Sequence, residues 1–444
     1  MAKSSDGRRS ARPKGASAGS GKALERRVAR MYFWSGLFSR ASIDLRQHFH
    51  PEPLLLTDLD LVAYDISTVF AVERVIGESK SGTAKSAPKP LDRVFWLSGL
   101  MKFTGAQGGV LTVTSQVSRQ VRDIAAKLSI RIMTEQELAR LEQERGLSSL
   151  DYGSFSGDLD DLWDRLRPLT RSEPSLERAY KFLRSEVWHL DPWLATKRTI
   201  ALMSAVRKQW VEGLAPDELL LVRTLLVEAT VVFSLAAIRI AGEIAWLPSD
   251  QAHQLILERL SEGAAPMREL VRLSQAVDTY IAGLLHEVNA PSHVQVKAMG
   301  AFYPRPPDYA EAFEELVRRL AASPKHVRHL PRLFDVALYE NIVRNRVVER
   351  APIEALELSD IDKAHRAARL ITAFLSGQIG IPAELFIGLG FAIEAAPIES
   401  ERQAAVSHVP TLAAKAVPGA TDGEHQLPGM TTGVSSSQVE REES

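Results

Sequence analysis

Residues 54–82 read LLLTDLDLVAYDISTVFAVERVIGESKSG, and this stretch decides the fold of the first third of the chain. Two runs rich in β-forming residues, 54–64 and 69–80, are separated by a short polar segment at residues 65–68. This pattern predicts an antiparallel hairpin of two β-strands.

Charged side chains occupy positions in this hairpin where a buried strand would be apolar. Because successive side chains of a strand point to opposite faces, Asp58 and Asp60 share one face of the first strand, and Glu78 and Lys80 share one face of the second. Three carboxylates beside one ammonium group repel one another in a partly desolvated sheet unless a cation joins them. The pattern therefore indicates a divalent metal ion held by oxygen ligands.

A purely structural interpretation of the same residues stands beside the metal site. Glu78 and Lys80 could form an exposed ladder of charges with Asp58 and Asp60, because such cross-strand pairs are common on solvated sheet faces.

The segments around the hairpin predict a compact α/β domain. A helical pattern starts at Lys22 and ends near Gly36, and residues 39–53 read as a connector with an edge strand. After the hairpin, a loop is followed by helix, strand, helix, strand and helix, and Thr134 with Glu137 predicts a capping box at the start of the last helix. We expect a mixed central sheet.

The order of these motifs carries a family resemblance. A helix with Glu25, then DLDL at 58–61, then ESK at 78–80, then helix, strand, helix and strand resembles the PD-(D/E)XK, or restriction-endonuclease-like, nuclease superfamily. Within that superfamily the chain is most similar to the Mrr-like branch associated with type IV restriction and to the archaeal-type junction resolvases. The resemblance covers residues 21–145. The chain lacks both a proline before the first acidic residue and the Gly-Ile-Asp of many Mrr-like members.

The resemblance implies roles for individual residues. Asp60 and Glu78 would be ligands of Mg²⁺ or Mn²⁺, and Asp58 would be a substitute ligand. Lys80 would hold or help to deprotonate the attacking water and would stabilise the transition state, and Glu25 would assist from the helix. Many members act as dimers, so a homodimer in which each protomer cuts one strand is expected by analogy.

Composition supports a soluble protein with a basic N-terminal part. The 444 residues include no cysteine, which excludes disulfides, thiolate zinc sites and cysteine nucleophiles. Residues 1–150 contain 23 Lys and Arg against 15 Asp and Glu, a net charge of +8, and the remainder has −9. The basic part is the expected nucleic-acid side, with Lys85 and Lys89 in the loop after the hairpin as candidate contacts.

The N-terminus has no apolar core of the kind that a signal peptide needs, so a cytoplasmic location is expected. The apolar residues 219–247 carry charges that are costly in lipid, and we interpret them as a core helix rather than a membrane span.

Composition shifts divide the chain into five predicted regions. These are a disordered basic arm at residues 1–21, the nuclease-like domain at 22–146, a linker at 147–157, an all-helical domain at 158–395 and a disordered tail at 396–444.

The sequence therefore predicts a Mg²⁺-dependent deoxyribonuclease, with DNA as partner and a role in restriction, defence or repair. Two alternatives remain open. The first is a catalytically inactive nuclease fold that binds DNA, and the second is a helical scaffold that binds an unknown protein partner and carries an accessory nuclease domain.

Overall fold

The computed structural model of the protein describes residues 15–47, 54–80, 89–155, 158–262, 267–288, 305–346 and 348–386. These residues belong to one compact unit, Met1–Ile393. An α/β part with a mixed five-stranded sheet comes first and a helical part follows, which confirms the predicted order of the two fold classes.

The five strands lie in the sheet in the order in which they occur in the sequence. They are β1 (Phe38–Gln47), β2 (Leu54–Ile66), β3 (Val72–Lys80), β4 (Gly108–Val113) and β5 (Ile130–Thr134). The first three form an antiparallel meander, and β3, β4 and β5 are parallel. The sheet is therefore mixed, as predicted.

The hairpin of β2 and β3 is confirmed, with its turn slightly later than the sequence indicates. The strands pair from Leu61 opposite Gly77 to Ile66 opposite Val72. In the turn, Ser67 N–H donates to the Ala71 carbonyl oxygen at 2.9 Å, and Phe70 adopts a positive φ of 61°.

Four helices complete the α/β part. They are α1 (Gly15–Trp34), α2 (Pro90–Thr104), α3 (Arg119–Lys127) and α4 (Glu135–Glu144). The capping box of α4 is confirmed, because Glu137 N–H donates to Thr134 Oγ1 at 3.2 Å and Thr134 N–H donates to Glu137 Oε2 at 2.7 Å.

Two segments differ from the sequence-based expectations. Helix α1 begins at Gly15 rather than at Lys22, so it extends into the predicted arm although Gly15, Gly19 and Gly21 are poor helix formers. The predicted linker contains two short 3₁₀ turns, Leu147–Ser149 and Gly153–Phe155, and the Phe155 ring lies 5.0 Å from that of Phe33 on α1. Residues 1–14 and 396–444, predicted as arm and tail, lie outside the described residues.

The helical part contains eleven described α-helices. They are α5 (Asp158–Thr170), α6 (Pro174–Arg184), α7 (Pro192–Arg207), α8 (Pro216–Ile244), α9 (Ser249–Ser261), α10 (Met267–Glu287), α11 (Ala310–Ala321), α12 (Pro324–Val327), α13 (Leu330–Leu338), α14 (Arg350–Ala355) and α15 (Ile361–Phe374). Five of them pack against α8, namely α5, α6, α7, α11 and α13.

Helix α8 is the centre of the helical core. Among the described helices it alone is long and apolar enough to cross a membrane, but 83% of its most apolar window is buried within the protein. This burial is typical of a core helix in a soluble protein.

A buried ionic network joins the sheet to the helical core. Arg40 on β1 makes two hydrogen bonds of 3.0 Å to the carboxylate of Glu228 on α8, and its Nη2 lies 2.7 Å from Asp335 Oδ1 on α13. Tyr339 donates its hydroxyl proton to Glu228 at 2.7 Å, and Ser154 donates to Asp335 at 2.9 Å. The edge strand is thus held against the helices by charges that are nearly inaccessible to solvent.

Candidate functional site

The candidate site lies where β2 and β3 separate. Their backbone pairing ends at Leu61 and Gly77, one residue before Asp60 would meet Glu78. At this point the Asp60 carboxylate replaces a backbone carbonyl as acceptor, since Ser79 N–H donates to Asp60 Oδ2 at 2.5 Å. Asp60 is only 4% exposed, so the end of the ladder holds a buried carboxylate between two diverging strands.

Glu78 lies beside it with two cations in contact. The residue is 3% exposed, its Oε1 lies 2.5 Å from Lys80 Nζ, and Arg93 Nη1 on α2 lies 3.5 Å from the same oxygen. Neither contact has the geometry of a hydrogen bond, so Glu78 Oε1 is a buried acceptor without a hydrogen-bond donor. Lys80 itself is about half exposed, and its amine can reach both Glu78 and solvent.

Glu25 approaches the site from α1. Its Oε2 accepts a hydrogen bond of 2.6 Å from the Ser42 hydroxyl on β1. Ser42 has a φ of 54°, a conformation in which a non-glycine residue is strained. It lies between Ala41 and Ile43, which pair with Leu61 and Leu59, the neighbours of Asp60. The irregular backbone of β1 thus turns a hydroxyl toward the helix and holds Glu25 in place.

These charges act together on Asp60. Burial raises the pKa of Asp60 to about 7, and the negative charges of Glu25 and Glu78 contribute to the rise. The Ser79 N–H and the Lys80 ammonium group oppose it. The raised pKa of Asp60 is therefore due mainly to burial, and the neighbouring carboxylates add to it in spite of the lysine.

The structure brings four of the predicted site residues together and leaves three outside this group. Glu25, Asp60, Glu78 and Lys80 converge, whereas Asp58 is exposed and faces Asp44 of β1 in register. Lys89 is exposed directly before α2, and Lys85 lies outside the described residues.

Two residues of the site were missed by sequence reasoning. Arg93 lies in the first turn of α2, and the helix that follows β3 begins near the end of the strand that carries Glu78. The predicted helix directly after the strand with Glu78 could therefore have pointed to Arg93. Ser42 gave no signal, because its role depends on a backbone irregularity within β1.

A divalent cation fits the chemistry of this group. Glu78 Oε1 is buried and accepts no hydrogen bond, and the negative charges of Glu25 and Glu78 both raise the pKa of Asp60. Carboxylate oxygens are suitable ligands for Mg²⁺ and Mn²⁺. Within the described residues, no set of three or more His, Cys, Asp or Glu side chains is close enough to form a complete metal cage. Asp60 and Glu78 could therefore supply only part of a coordination shell, as is usual for Mg²⁺ bound together with substrate phosphate and water.

Comparison of the chain with protein-family models, curated proteins and solved structures finds no match.

Proposed function

We propose that the chain is a Mg²⁺- or Mn²⁺-dependent nuclease that hydrolyses phosphodiester bonds in DNA, with a restriction-endonuclease-like domain at its N-terminus. The observation that carries the proposal is the convergence of Asp60, Glu78 and Lys80 at the separation of β2 and β3, with Glu25 beside Asp60. The order of helices and strands around them agrees with the order on which the superfamily resemblance rests.

Each residue has a defined task in this proposal. Asp60 and Glu78 would hold the metal ion, which would supply Lewis-acid chemistry for phosphodiester hydrolysis. Asp60 loses its proton before it can act as a ligand, and Glu25 adds negative charge that favours cation binding. Lys80 places an ammonium group where it offsets the charge that develops on the phosphate.

DNA is the proposed substrate because the α/β part is basic. Residues 1–150 have a net charge of +8 against −9 for the rest, and a cationic surface favours association with phosphate backbones. A role in restriction, defence or repair is what the resemblance implies, and the cytoplasmic location is proposed from the composition of the N-terminus.

A non-catalytic DNA-binding fold is the second candidate function. It is favoured by the contacts of Glu78, since Lys80 and Arg93 already approach its carboxylate from two directions. An acidic side chain that serves only to orient two cations would present those cations to a phosphate backbone without any metal ion.

Plasmid cleavage separates the two candidates. We expect the purified chain to nick supercoiled DNA with Mg²⁺ or Mn²⁺ and not with EDTA, and Asp60→Asn or Lys80→Ala to lower the rate by about a hundredfold or more, because each removes transition-state stabilisation. Gel conversion of supercoiled to open-circular plasmid measures the rate.

Asp58→Asn is the matched control, because Asp58 lies on the same strand but is exposed. We expect it to retain activity near that of the unmodified chain. Cleavage that survives both Asp60→Asn and Lys80→Ala would contradict the site, and DNA binding without cleavage under any metal condition would favour the second candidate.

A further inference from the structure

A second cluster of charges lies at the other end of the hairpin, away from Asp60 and Glu78. A cavity of about 310 Å³ opens between the turn of β2 and β3, the end of α2 and the C-terminal half of α8. Its lining includes Tyr64, Phe70, Arg74, Gln107, Arg239 and Glu243. A cavity of this size accommodates a small molecule.

Two arginines share one aromatic ring at this cavity. The guanidinium carbons of Arg74 on β3 and Arg239 on α8 each lie 5.6 Å from the centre of the Tyr64 ring. Tyr64 is buried and donates its hydroxyl proton to the Trp188 carbonyl oxygen at 3.0 Å, so the ring is a fixed platform. Cation–π contact positions both guanidinium groups without using their N–H donors.

Those donors are mostly unused. Arg239 has no hydrogen bond or ion pair within the part of the chain that the structure describes. Arg74 donates Nη1–H to the Thr104 carbonyl oxygen at 2.7 Å, but its buried Nε has no partner. A guanidinium group offers five donors in a plane that matches a phosphate or carboxylate, so the two arginines hold a large unused capacity for an anion.

The charges that line the cavity are unequal in number. Desolvation and the neighbouring positive charge of Arg74 lower the pKa of Arg239, whereas the carboxylates of Glu243 and Asp191 act in the opposite direction. Glu243 is the acidic residue of the lining, and its Oε2 accepts a hydrogen bond of 2.7 Å from Trp193 Nε1. Among the residues that line the cavity, one carboxylate is therefore present beside two guanidinium groups.

We propose that this cavity is a binding site for a phosphoryl anion, recognised by Arg74 and Arg239 on the Tyr64 platform. The phosphoryl group belongs either to a small molecule, such as inorganic phosphate or a mononucleotide, or to a DNA backbone. Because Arg74 lies on the same strand as Glu78 and Lys80, an anion bound here contacts the strand that carries the candidate active site.

Titration of the full-length chain tests the proposal. With EDTA present to exclude metal-dependent binding at the acidic site, and with ionic strength held constant by NaCl, isothermal titration calorimetry is performed with inorganic phosphate and with AMP. We expect saturable binding of at least one of them. Arg239→Gln and Arg74→Gln should each raise the Kd by about tenfold or more, since each removes charge-assisted hydrogen bonds.

Arg223→Gln is the matched control. Arg223 lies on the same helix and packs on an aromatic ring in the same way, with its guanidinium carbon 5.2 Å from the centre of the Trp210 ring, but it does not line the cavity. Its substitution should leave the Kd unchanged. If Arg239→Gln does not fold, Arg74→Gln still decides the question, because Arg74 is only partly buried.

Competition with a short DNA duplex distinguishes the two sources of the phosphoryl group. Displacement of bound phosphate or AMP by the duplex identifies the DNA backbone, and retention identifies a small molecule. The proposal is overturned if neither phosphate nor AMP nor the duplex binds in EDTA, or if both cavity variants bind as tightly as Arg223→Gln. The proposed nuclease activity is independent of this result, because it is measured with metal ions and depends on Asp60 and Lys80.

Discussion

At the scale of single residues, the sequence identifies the charged side chains of the candidate site but does not predict which of them are exposed to solvent. Alternation along a strand placed Asp58 and Asp60 on one face, but it did not predict that one would be exposed and the other buried. That difference arises where β2 and β3 separate, and the end of a ladder depends on residues that are distant in the sequence. The charge pattern of Asp60, Glu78 and Lys80 was visible because charged residues are rare in buried strands.

The raised pKa of Asp60 predicts an unusual dependence of stability on pH. Because the folded state raises the pKa of this carboxyl from 3.8 to about 7, the folded state binds more protons than the unfolded state between those values, and the free energy of unfolding falls as pH rises through this window. Asp60→Asn removes the effect. In EDTA we expect it to stabilise the protein by on the order of 4 kcal/mol at most at pH 8, and by no more than about 2 kcal/mol at pH 5.

Urea unfolding followed by circular dichroism measures this difference at the two pH values. Asp58→Asn, at an exposed position, should show no such dependence. Equal effects of Asp60→Asn at pH 5 and pH 8 would contradict the assignment of the raised pKa to Asp60.

At the scale of elements, local patterns predicted the strands and helices and missed their ends. The β2–β3 hairpin, helix α2 and the capping box of α4 all follow from short-range signals, and all are present. The local sequence did not predict the full ten-residue length of β1, because SRASIDLRQ mixes charged and apolar residues. This segment becomes a strand through its pairing with β2. The early start of α1 was missed for a related reason, since alanines between glycines and serines give an ambiguous local signal.

The contact between the hairpin turn and α8 can be tested through Gly242. A Cβ atom at this position would lie 2.9 Å from Phe70 Cβ and 3.1 Å from the Phe70 carbonyl oxygen. At Gly283 on α10, an added Cβ would have no neighbour within 4 Å. Both changes to alanine gain about 1 kcal/mol of helix propensity, but only Gly242→Ala meets a fixed backbone.

We therefore expect Gly242→Ala to be less stable than Gly283→Ala by about 1–3 kcal/mol, as measured by urea unfolding. If both variants were stabilised to the same degree, the turn would not pack against α8 as described.

At the scale of the whole molecule, composition suggested two parts but not how they are joined. The network joins Arg40 to Glu228, which lies 188 positions later in the sequence, and to Asp335. Each residue alone reads as an ordinary charge in a strand or helix, and no local pattern pairs them. Glu228 is one of the charges within the apolar residues 219–247, and it holds β1 against the helical core.

Removal of Arg40 tests how strongly the two parts depend on each other. Arg40→Ala leaves two carboxylates buried without their cation, so we expect a loss of about 3–5 kcal/mol in the free energy of unfolding. Arg46→Ala on the same strand removes a half-exposed ion pair with Asp44 and should cost no more than about 1 kcal/mol.

Urea titrations followed by far-ultraviolet circular dichroism and by tryptophan fluorescence provide the measurement. A similar, small cost for both variants would show that the network contributes little to the joining of the parts.

The early separation of β2 from β3 has a consequence for how the protein behaves in solution. Residues Leu54 to Asp60 pair with β1, but within the described residues their other edge is not matched by β3, and Leu54, Leu55 and Leu56 are exposed there. An apolar strand edge with unpaired amide and carbonyl groups can pair with a strand of another molecule. Concentrated samples should therefore self-associate through this unpaired edge of β2. The substitution Leu55→Lys should reduce the self-association, because it places a charge on the edge.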